Sequence, residues 1–155
     1  MTTRRTIRKN QKKWLSSNKN LRILDLGCSN KNFWQEANHF ADIHDYKSDF
    51  ESLNLNYTQI KPDEKLPFKD KEFDSISLIE IIEHLNFDDT KNLINEAKRC
   101  LKDQGHIFIT TPNYLSLWPL LELIVNKFSR VSYEDQHISK YNYFTLKRLL
   151  LNFEM

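Results

Sequence analysis

The sequence has few of the residues that mark several common protein classes. Its 155 residues include only 2 cysteines, 2 glycines and 4 prolines. Two cysteines, Cys28 and Cys100, are too few for a secreted disulfide framework and lack zinc-site spacing, which indicates a reducing cytoplasm. The scarcity of glycine and proline excludes collagen-like and low-complexity chains. No apolar run approaches the roughly 20 residues of a membrane span, and no signal peptide is recognisable, so we expect a cytoplasmic protein without a transmembrane segment.

Acidic residues are absent from the start of the chain. Residues 1–22 hold eight of the 23 basic residues and none of the 21 acidic ones. Such a segment can bind nucleic acid, but residues 4–16 also predict a helix whose basic face is simply solvated. The solvated helix is the favoured interpretation, and nucleic acid is not the favoured partner.

The rest of the chain alternates strand and helix patterns. Short apolar runs predict strands, and these lie at residues 21–27, 40–44, 56–60, 73–79 and 106–110. Between the last two strands a helix is predicted, capped by Asp88 or Asp89 and with Leu93, Ala97 and Leu101 on one face. Gly105 then marks the turn into the last strand. Alternation of this kind predicts an α/β fold with a parallel sheet covered by helices on both faces.

Polar residues follow several of these strands, at the end where parallel sheets bind ligands. The first segment is Leu24-Asp25-Leu26-Gly27-Cys28, and the second is the acidic stretch 41–45. Later segments read Leu66-Pro67-Phe68, then Phe73-Asp74 after four residues, then Ile82-Glu83-His84 and Thr110-Thr111-Pro112-Asn113. In this order the motifs resemble the class I S-adenosylmethionine-dependent methyltransferases, and more narrowly a small bacterial group related to the ubiquinone and sugar methyltransferases.

The resemblance implies a Rossmann-like fold, S-adenosylmethionine as cofactor and a small-molecule, glycan or lipid-precursor acceptor. It also implies one domain over residues 1–155, with a basic N-terminal helix (1–20), a cofactor-binding core (21–113) and acceptor-side helices (114–155). Around the methionine half of the cofactor it places Asp25, Gly27, Cys28 and Ser29, with free backbone amides meeting the carboxylate. Asp42 would accept hydrogen bonds from the ribose hydroxyls, with Asp45 as the alternative. The remaining cofactor contacts it implies are Asp63, near the adenine amine, and Ile79.

The glycine motif of the family is only partly present. Where the family has GxGxG, this chain reads Gly27-Cys28-Ser29-Asn30-Lys31. A serine at positive φ would cost on the order of 1 kcal/mol. This departure keeps open a second hypothesis, that the chain is a non-catalytic binding or scaffold relative. A third hypothesis is a nucleic-acid methyltransferase that uses the basic N-terminal segment.

Two histidines are the candidate catalytic residues. His84 follows the fourth strand and has an unperturbed pKa of about 6.5, suited to taking a proton from a hydroxyl acceptor. The alternative is that His84 only hydrogen-bonds the loop. His137, in Glu134-Asp135-Gln136-His137, is the second candidate. A zinc site built from His39, Asp42, His44 and Asp45 is disfavoured because side chains alternate faces along a strand, and no metal ligand is assigned.

The C-terminal part of the sequence contains an apolar segment, residues 115–128. It is too short to span a bilayer and predicts a buried helix, a dimer surface or a lid over the acceptor. The family's sheet has seven strands, whereas five are predicted here, without the C-terminal hairpin. We therefore expect either a partner, such as a second copy of the chain, on the open sheet edge, or a truncated form of the fold.

Overall fold

The computed structural model describes residues 20–30, 36–62, 64–115 and 137–153. The chain divides into two compact units. The first comprises Met1–Ile79 and Glu96–Thr110, and the second comprises Glu80–Asn95 and Thr111–Met155. The predicted N-terminal helix, Asp63 and nearly all of the apolar segment 115–128 lie outside the described residues. The single-domain organisation stays a prediction.

A five-stranded parallel sheet forms the first unit. Its strands lie in the order β3-β2-β1-β4-β5, and all four neighbouring pairs are parallel. In chain order they are β1 (Ile23–Leu26), β2 (His39–Asp42), β3 (Asn56–Gln59), β4 (Phe73–Ile79) and β5 (Leu101–Thr110). The predicted α/β class with a parallel sheet is confirmed, and the predicted bounds of β4 coincide with the observed ones.

The central strand β1 lies between β2 and β4 and is buried along its whole length. Its neighbours fix its register, with Leu26 opposite Ala41 of β2 and Leu78 of β4. Strands that are covered on both faces are apolar throughout, as Ile23–Leu26 is apart from Asp25. An apolar cluster on the sheet includes Ile23, Cys28, Ala37, Phe40 and Phe50. Because the strands are parallel, their carboxyl ends lie together at one edge, where the candidate cofactor residues follow.

Three α-helices are described, α1 (Lys47–Glu51), α2 (Phe87–Cys100) and α3 (Tyr143–Leu151). A single 3₁₀ turn, Ile82–His84, follows β4. Asn142 caps α3 by accepting hydrogen bonds from the amides of Phe144 and Thr145. Within the part of the chain that is described, no helix has the length and apolar character needed to cross a membrane.

Helix α2 begins two or three residues earlier than its sequence predicts. Asn86, not Asp88 or Asp89, caps it: Asn86 Oδ1 accepts from the Asp89 amide at 2.9 Å, and Asn86 Nδ2 donates to the Asp89 carboxylate at 2.7 Å. Asparagine and aspartate are about equally good caps, so the backbone path, which places Asn86 just before the first turn, decides between them. Of the predicted apolar face, Ala97 is buried, whereas Leu93 and Leu101 are only partly buried. The other buried residues of α2 are Thr90, Ile94 and Cys100.

Strand β5 starts at Leu101, five residues before the predicted start, and Gly105 lies inside it. The register with β4 is interrupted between the pairs Phe73–Leu101 and Ser75–His106. Regular pairing runs from His106 to Thr110, which matches the predicted strand. A Cβ on Gly105 would lie 2.6 Å from Cγ of Leu101 and 3.0 Å from the Asp74 carbonyl oxygen. Only glycine fits this irregularity without displacing a neighbour.

Candidate functional site

The loop after β1 turns back on β2 through two residues in the left-handed region. Gly27 has φ 76° and Ser29 has φ 57°. The amides of Gly27 and Cys28 donate to the Ala41 carbonyl at 2.7 and 3.3 Å, and the Ser29 amide donates to Oδ2 of Asp42 at 2.9 Å. Ser29, which stands where the family has a glycine, therefore does adopt a positive φ. The expectation of free amides at these three residues is wrong, because β2 already pairs them.

Asp42 closes β2 and is almost fully buried. Its Oδ2 accepts from the Ser29 amide, and its Oδ1 accepts from the His44 amide at 3.0 Å. The His44 ring nitrogen Nδ1 lies 3.1 Å from the same Oδ1. Two carboxylate oxygens offer about four acceptor sites, so this set of contacts leaves room for a ligand hydroxyl. The carboxylate is held rigidly at the point where the strand ends.

The other predicted cofactor residues differ in their surroundings. Asp45 is exposed, and its Oδ1 accepts from the Lys47 amide at 3.0 Å in the turn just before α1, whose N-cap position is Tyr46. Ile79 is partly buried and packs against the apolar cluster that contains Cys28. Burial, with the charges of Asp25 and Asp42, raises the pKa of the Cys28 thiol well above its usual range. Cys28 is therefore a protonated, unreactive packing group.

Asp25 is a buried carboxyl in the middle of the sheet, 2% exposed. Ser77 is directly opposite it on β4, and the Ser77 hydroxyl donates to Asp25 Oδ1 at 2.6 Å. Burial raises the pKa of Asp25 from 3.8 to about 6; the Ser77 hydrogen bond opposes the rise and the charge of Asp42 adds to it. The two carboxyls therefore interact, and a ligand with positive charge would relieve their repulsion.

The Leu66-Pro67-Phe68 segment is held by two side chains of α2, Arg99 and Glu96, and the Leu66 amide donates to Oε2 of Glu96 at 2.9 Å. Arg99 donates to the carbonyls of Leu66 and Phe68 at 3.0 and 2.9 Å. It also forms ion pairs with Glu96 at 2.8 Å and with Asp70 at 2.7 Å. These hydrogen bonds, with burial opposing them, raise the pKa of Arg99 above its usual range. The motif is thus fixed in place by backbone contacts that the sequence did not reveal.

The two candidate catalytic histidines lie in the second unit. His84 ends the 3₁₀ turn and is exposed, while His137 is buried. Their ring centroids are 5.1 Å apart. The Tyr114 hydroxyl lies 2.5 Å from Nδ1 of His137. The structure therefore brings together two residues that the sequence separates by more than fifty positions.

The four residues of the disfavoured zinc group have other partners. His39 Nε2 lies 3.1 Å from an Arg22 guanidinium nitrogen, and its Nδ1 lies 2.8 Å from Asn38 Oδ1. His44 is bonded to Asp42, and Asp45 to the α1 backbone. Sequence reasoning misses Ser77 and Tyr114, and it assigns Glu83 no role beyond its place in the Ile82-Glu83-His84 motif. The available signal for Ser77 was a serine inside the otherwise apolar run Phe73–Ile79.

Comparison with known proteins decides the family. A family model described as a methyltransferase domain matches residues 3–154. The chain belongs to the methyltransferase domain family. The predicted family, the class I S-adenosylmethionine-dependent methyltransferases, is confirmed. The curated protein MJ0638 of Methanocaldococcus jannaschii, itself uncharacterized, is 32% identical over 124 residues, which are 75% of this chain and 51% of that protein. This methyltransferase-family chain thus spans about half the length of that relative.

Solved structures share the fold. A SAM-dependent methyltransferase from Archaeoglobus fulgidus is 22% identical, with a TM-score of 0.69 over 96% of this chain and 67% of that one. A SAM-dependent methyltransferase from Thermotoga maritima is 16% identical, with a TM-score of 0.71 over 87% of this chain and 64% of that one. At these identities the likeness establishes the Rossmann-like methyltransferase fold.

Proposed function

We propose that this methyltransferase-family chain transfers the methyl group of S-adenosylmethionine to a hydroxyl of a small-molecule, glycan or lipid-precursor acceptor. The observation that supports it best is the pair of interacting buried carboxyls, Asp25 and Asp42, at the ends of the two central strands β1 and β2. Asp25, Gly27, Cys28, Ser29, Asp42 and Ile79 are the proposed cofactor-binding residues in the described chain. Asp45 and Asp63 are kept as further candidates for the ribose and the adenine.

The chemistry of these residues fits the cofactor. Asp42 offers acceptor sites for a ribose diol, and the negative charge of Asp25 and Asp42 suits a ligand with sulfonium and ammonium groups. Because the amides of Gly27, Cys28 and Ser29 already donate hydrogen bonds within the protein, other donors would bind the methionine carboxylate of the cofactor. A solved Haemonchus contortus phosphoethanolamine N-methyltransferase, 18% identical with a TM-score of 0.54 over 66% of this chain and 25% of that one, holds S-adenosylhomocysteine. That ligand is a suitable probe for this site.

The reaction needs alignment more than covalent help from the protein. When bound, S-adenosylmethionine supplies an electrophilic methyl carbon on a positively charged sulfur. The acceptor oxygen forms a bond to the methyl carbon while the S–C bond breaks, and the electron pair of the S–C bond stays on sulfur. The acceptor hydroxyl must also lose its proton. Positioning of this kind supplies roughly 7–11 kcal/mol. His84 and His137 are the proposed catalytic residues on the acceptor side, since a neutral imidazole can take that proton.

The first experiment is calorimetric titration of the purified chain with S-adenosylhomocysteine, with circular dichroism to confirm that the protein is folded. We expect one site with a dissociation constant in the micromolar range, about −8 kcal/mol. A folded protein that binds nothing at millimolar ligand would contradict the proposal. That result would favour the alternative, a non-catalytic binding relative.

Two further outcomes separate the remaining hypotheses. Under the proposed function, deletion of residues 1–13 leaves binding to nucleic acid unchanged. Salt-dependent nucleic-acid binding that disappears on this deletion would favour a nucleic-acid methyltransferase instead.

A cytoplasmic location is also proposed. It is supported by Cys28 and Cys100, which are both buried and unbridged, as expected in a reducing compartment.

A further inference from the structure

Three potential metal ligands converge in the second unit. Glu83, His84 and His137 each offer one ligand atom, and these atoms all lie within 4.8 Å of one another. We infer that Glu83, His84 and His137 bind a divalent transition-metal cation. Ligand atoms about 2.0–2.2 Å from one metal lie at most about 4.4 Å apart, so the three side chains would draw together when they coordinate a cation. No local spacing signals this set, since His137 is far along the chain from the other two.

The backbone around the cluster is tied together by hydrogen bonds. Ser139, two residues after His137, donates its amide to the Glu83 carbonyl at 2.9 Å and its hydroxyl to the Leu85 carbonyl at 2.6 Å. The Tyr114 amide donates to the Tyr141 carbonyl at 2.9 Å. The 3₁₀ turn and the segment 137–141 are therefore held in a fixed register. A preorganised ligand set of this kind needs little ordering when a cation binds.

Tyr114 orients one of the ligands. Its hydroxyl lies 2.5 Å from Nδ1 of His137, and the two rings are nearly perpendicular at 89°. If Nδ1 carries the proton and donates it to the Tyr114 oxygen, the lone pair lies on Nε2 and is directed away from Tyr114. Histidine ligands of metals usually have such an outer partner, which fixes the tautomer and the ring orientation.

The donor set indicates which cation fits. One carboxylate and two imidazoles suit Zn²⁺, Co²⁺, Mn²⁺ or Fe²⁺ better than Ca²⁺ or Mg²⁺, which prefer oxygen ligands. Glu83 is 1% exposed and His137 is buried, whereas His84 is exposed. A buried carboxylate is stabilised by a nearby cation. Three protein ligands with one side open to solvent are typical of a site that keeps a coordination position for water or substrate.

The cation has a role in the reaction, and this step rests on the proposed function. An acceptor oxygen in the open coordination position would lose its proton more readily, because a divalent cation lowers the pKa of a bound hydroxyl. With the cation bound, His84 and His137 serve the same proton loss as its ligands, and the proton passes to bulk water; in the metal-free chain the two imidazoles keep their role as the base.

Direct metal binding tests the inference without any activity assay. The full chain is treated with chelator, desalted and titrated with Co²⁺, which is followed by its visible absorption, and then with Zn²⁺ by calorimetry. We expect one cation per chain and displacement of Co²⁺ by Zn²⁺. His84→Ala, at an exposed position that should not disturb folding, is expected to weaken Co²⁺ binding on the order of a hundredfold. Tyr114→Phe is expected to weaken it by about 10–100-fold, as outer partners do.

His106→Ala is the matched control, since His106 is a histidine on β5 in the other unit and outside the cluster. It should leave Co²⁺ affinity and stoichiometry unchanged. Equal affinities in His84→Ala and His106→Ala, or no Co²⁺ binding to the folded parent chain, would overturn the inference. Titration of the metal-free chain with S-adenosylhomocysteine keeps the two proposals apart. Cofactor binding without metal binding contradicts only the metal site, and metal binding without cofactor binding contradicts only the proposed function.

Discussion

The hydroxyl of Ser77 donates a 2.6 Å hydrogen bond to Oδ1 of Asp25, across the pairing of β1 with β4 that sets the two residues side by side. The bond partly compensates the burial of a carboxyl in the middle of the sheet. Burial nevertheless prevails and raises the pKa of Asp25 to about 6. Asp25 therefore holds its proton in the folded protein at pH values where the unfolded chain has lost it.

The first prediction concerns the pH dependence of stability. With a pKa of 3.8 in the unfolded chain and about 6 in the folded protein, the contribution of Asp25 to the free energy of unfolding falls as pH rises between these values. Above that window it stays about 3 kcal/mol lower, as an upper estimate. Asp25→Asn removes this dependence. The free energy of unfolding of Asp25→Asn minus that of the parent chain, measured in urea, should therefore increase by about 2–3 kcal/mol from pH 4 to pH 7.5.

Ser77→Ala serves as the companion variant for that measurement. It removes the hydrogen bond that lowers the pKa of Asp25, so the fall in stability should extend to higher pH. A stability difference between Asp25→Asn and the parent that does not change with pH would contradict the assignment.

The second prediction concerns the ribose acid. Asp42→Asn keeps an acceptor oxygen for only one of the two amides that Asp42 binds, those of Ser29 and His44, and it removes the charge. It should weaken S-adenosylhomocysteine binding by about 10–100-fold, the value of a hydrogen bond to a charged group. Calorimetry measures this change. Asp49→Asn, an exposed acid in the first turn of α1, should bind the ligand as the parent does. Weaker S-adenosylhomocysteine binding in Asp45→Asn but not in Asp42→Asn would show that Asp45 binds the ribose.

The third prediction uses the backbone of the loop after β1. Ser29 has φ 57°, a region that costs an ordinary residue about 1–2 kcal/mol and glycine almost nothing. After the greater unfolded-state entropy of glycine is subtracted, Ser29→Gly should stabilise the protein by about 0.5–1 kcal/mol. Ser52→Gly is the control, because Ser52 has φ −60° in the right-handed region and glycine should destabilise there. Thermal unfolding of both variants decides the matter, and a loss of stability in Ser29→Gly would speak against backbone strain.

The fourth prediction concerns the irregular part of β5. Gly105→Ala places a methyl group against Leu101 and the Asp74 carbonyl, and overpacking of this kind costs about 1–3 kcal/mol. Leu101→Ala removes the nearer atoms, so the double variant should recover part of the loss, as a double-mutant cycle would measure. Additive effects of the two substitutions would show that the contact with Leu101 is unimportant.

Much of the first unit could be predicted from local sequence, because buried parallel strands are short apolar runs with clear ends. Phe73–Ile79 was predicted residue by residue for this reason. The start of α2 was not, since Asn86, Asp88 and Asp89 are all competent caps and only the backbone path selects among them. The pairing of the loop amides with Ala41 and Asp42 depends on how two strands meet, and the sequence around Gly27 contains no trace of it.

The candidate site was predictable only in its separate pieces. The motifs identified Asp25, Asp42 and His84 individually through the resemblance to a family. The partners that change their chemistry come from elsewhere in the chain. Strand register places Ser77 beside Asp25, the hydrogen bonds of Ser139 bring His137 to the 3₁₀ turn, and the hydrogen bond of the Tyr114 amide to the Tyr141 carbonyl brings in Tyr114. Such long-range pairings are set by tertiary structure, which no local spacing encodes.

The all-parallel sheet also has a consequence for how this chain reaches its native state. No two neighbouring strands can form a hairpin, and the central pair of β1 with β4 joins Ile23 to Ser75. The chain must close a loop of about fifty residues before that pairing can contribute favourable free energy, and each such closure costs conformational entropy. Folding should therefore be slow for a chain of this size, in the millisecond-to-second range of topologies dominated by non-local contacts. The pairing of Ile23–Leu26 with β4 is then the step whose disruption would slow refolding most.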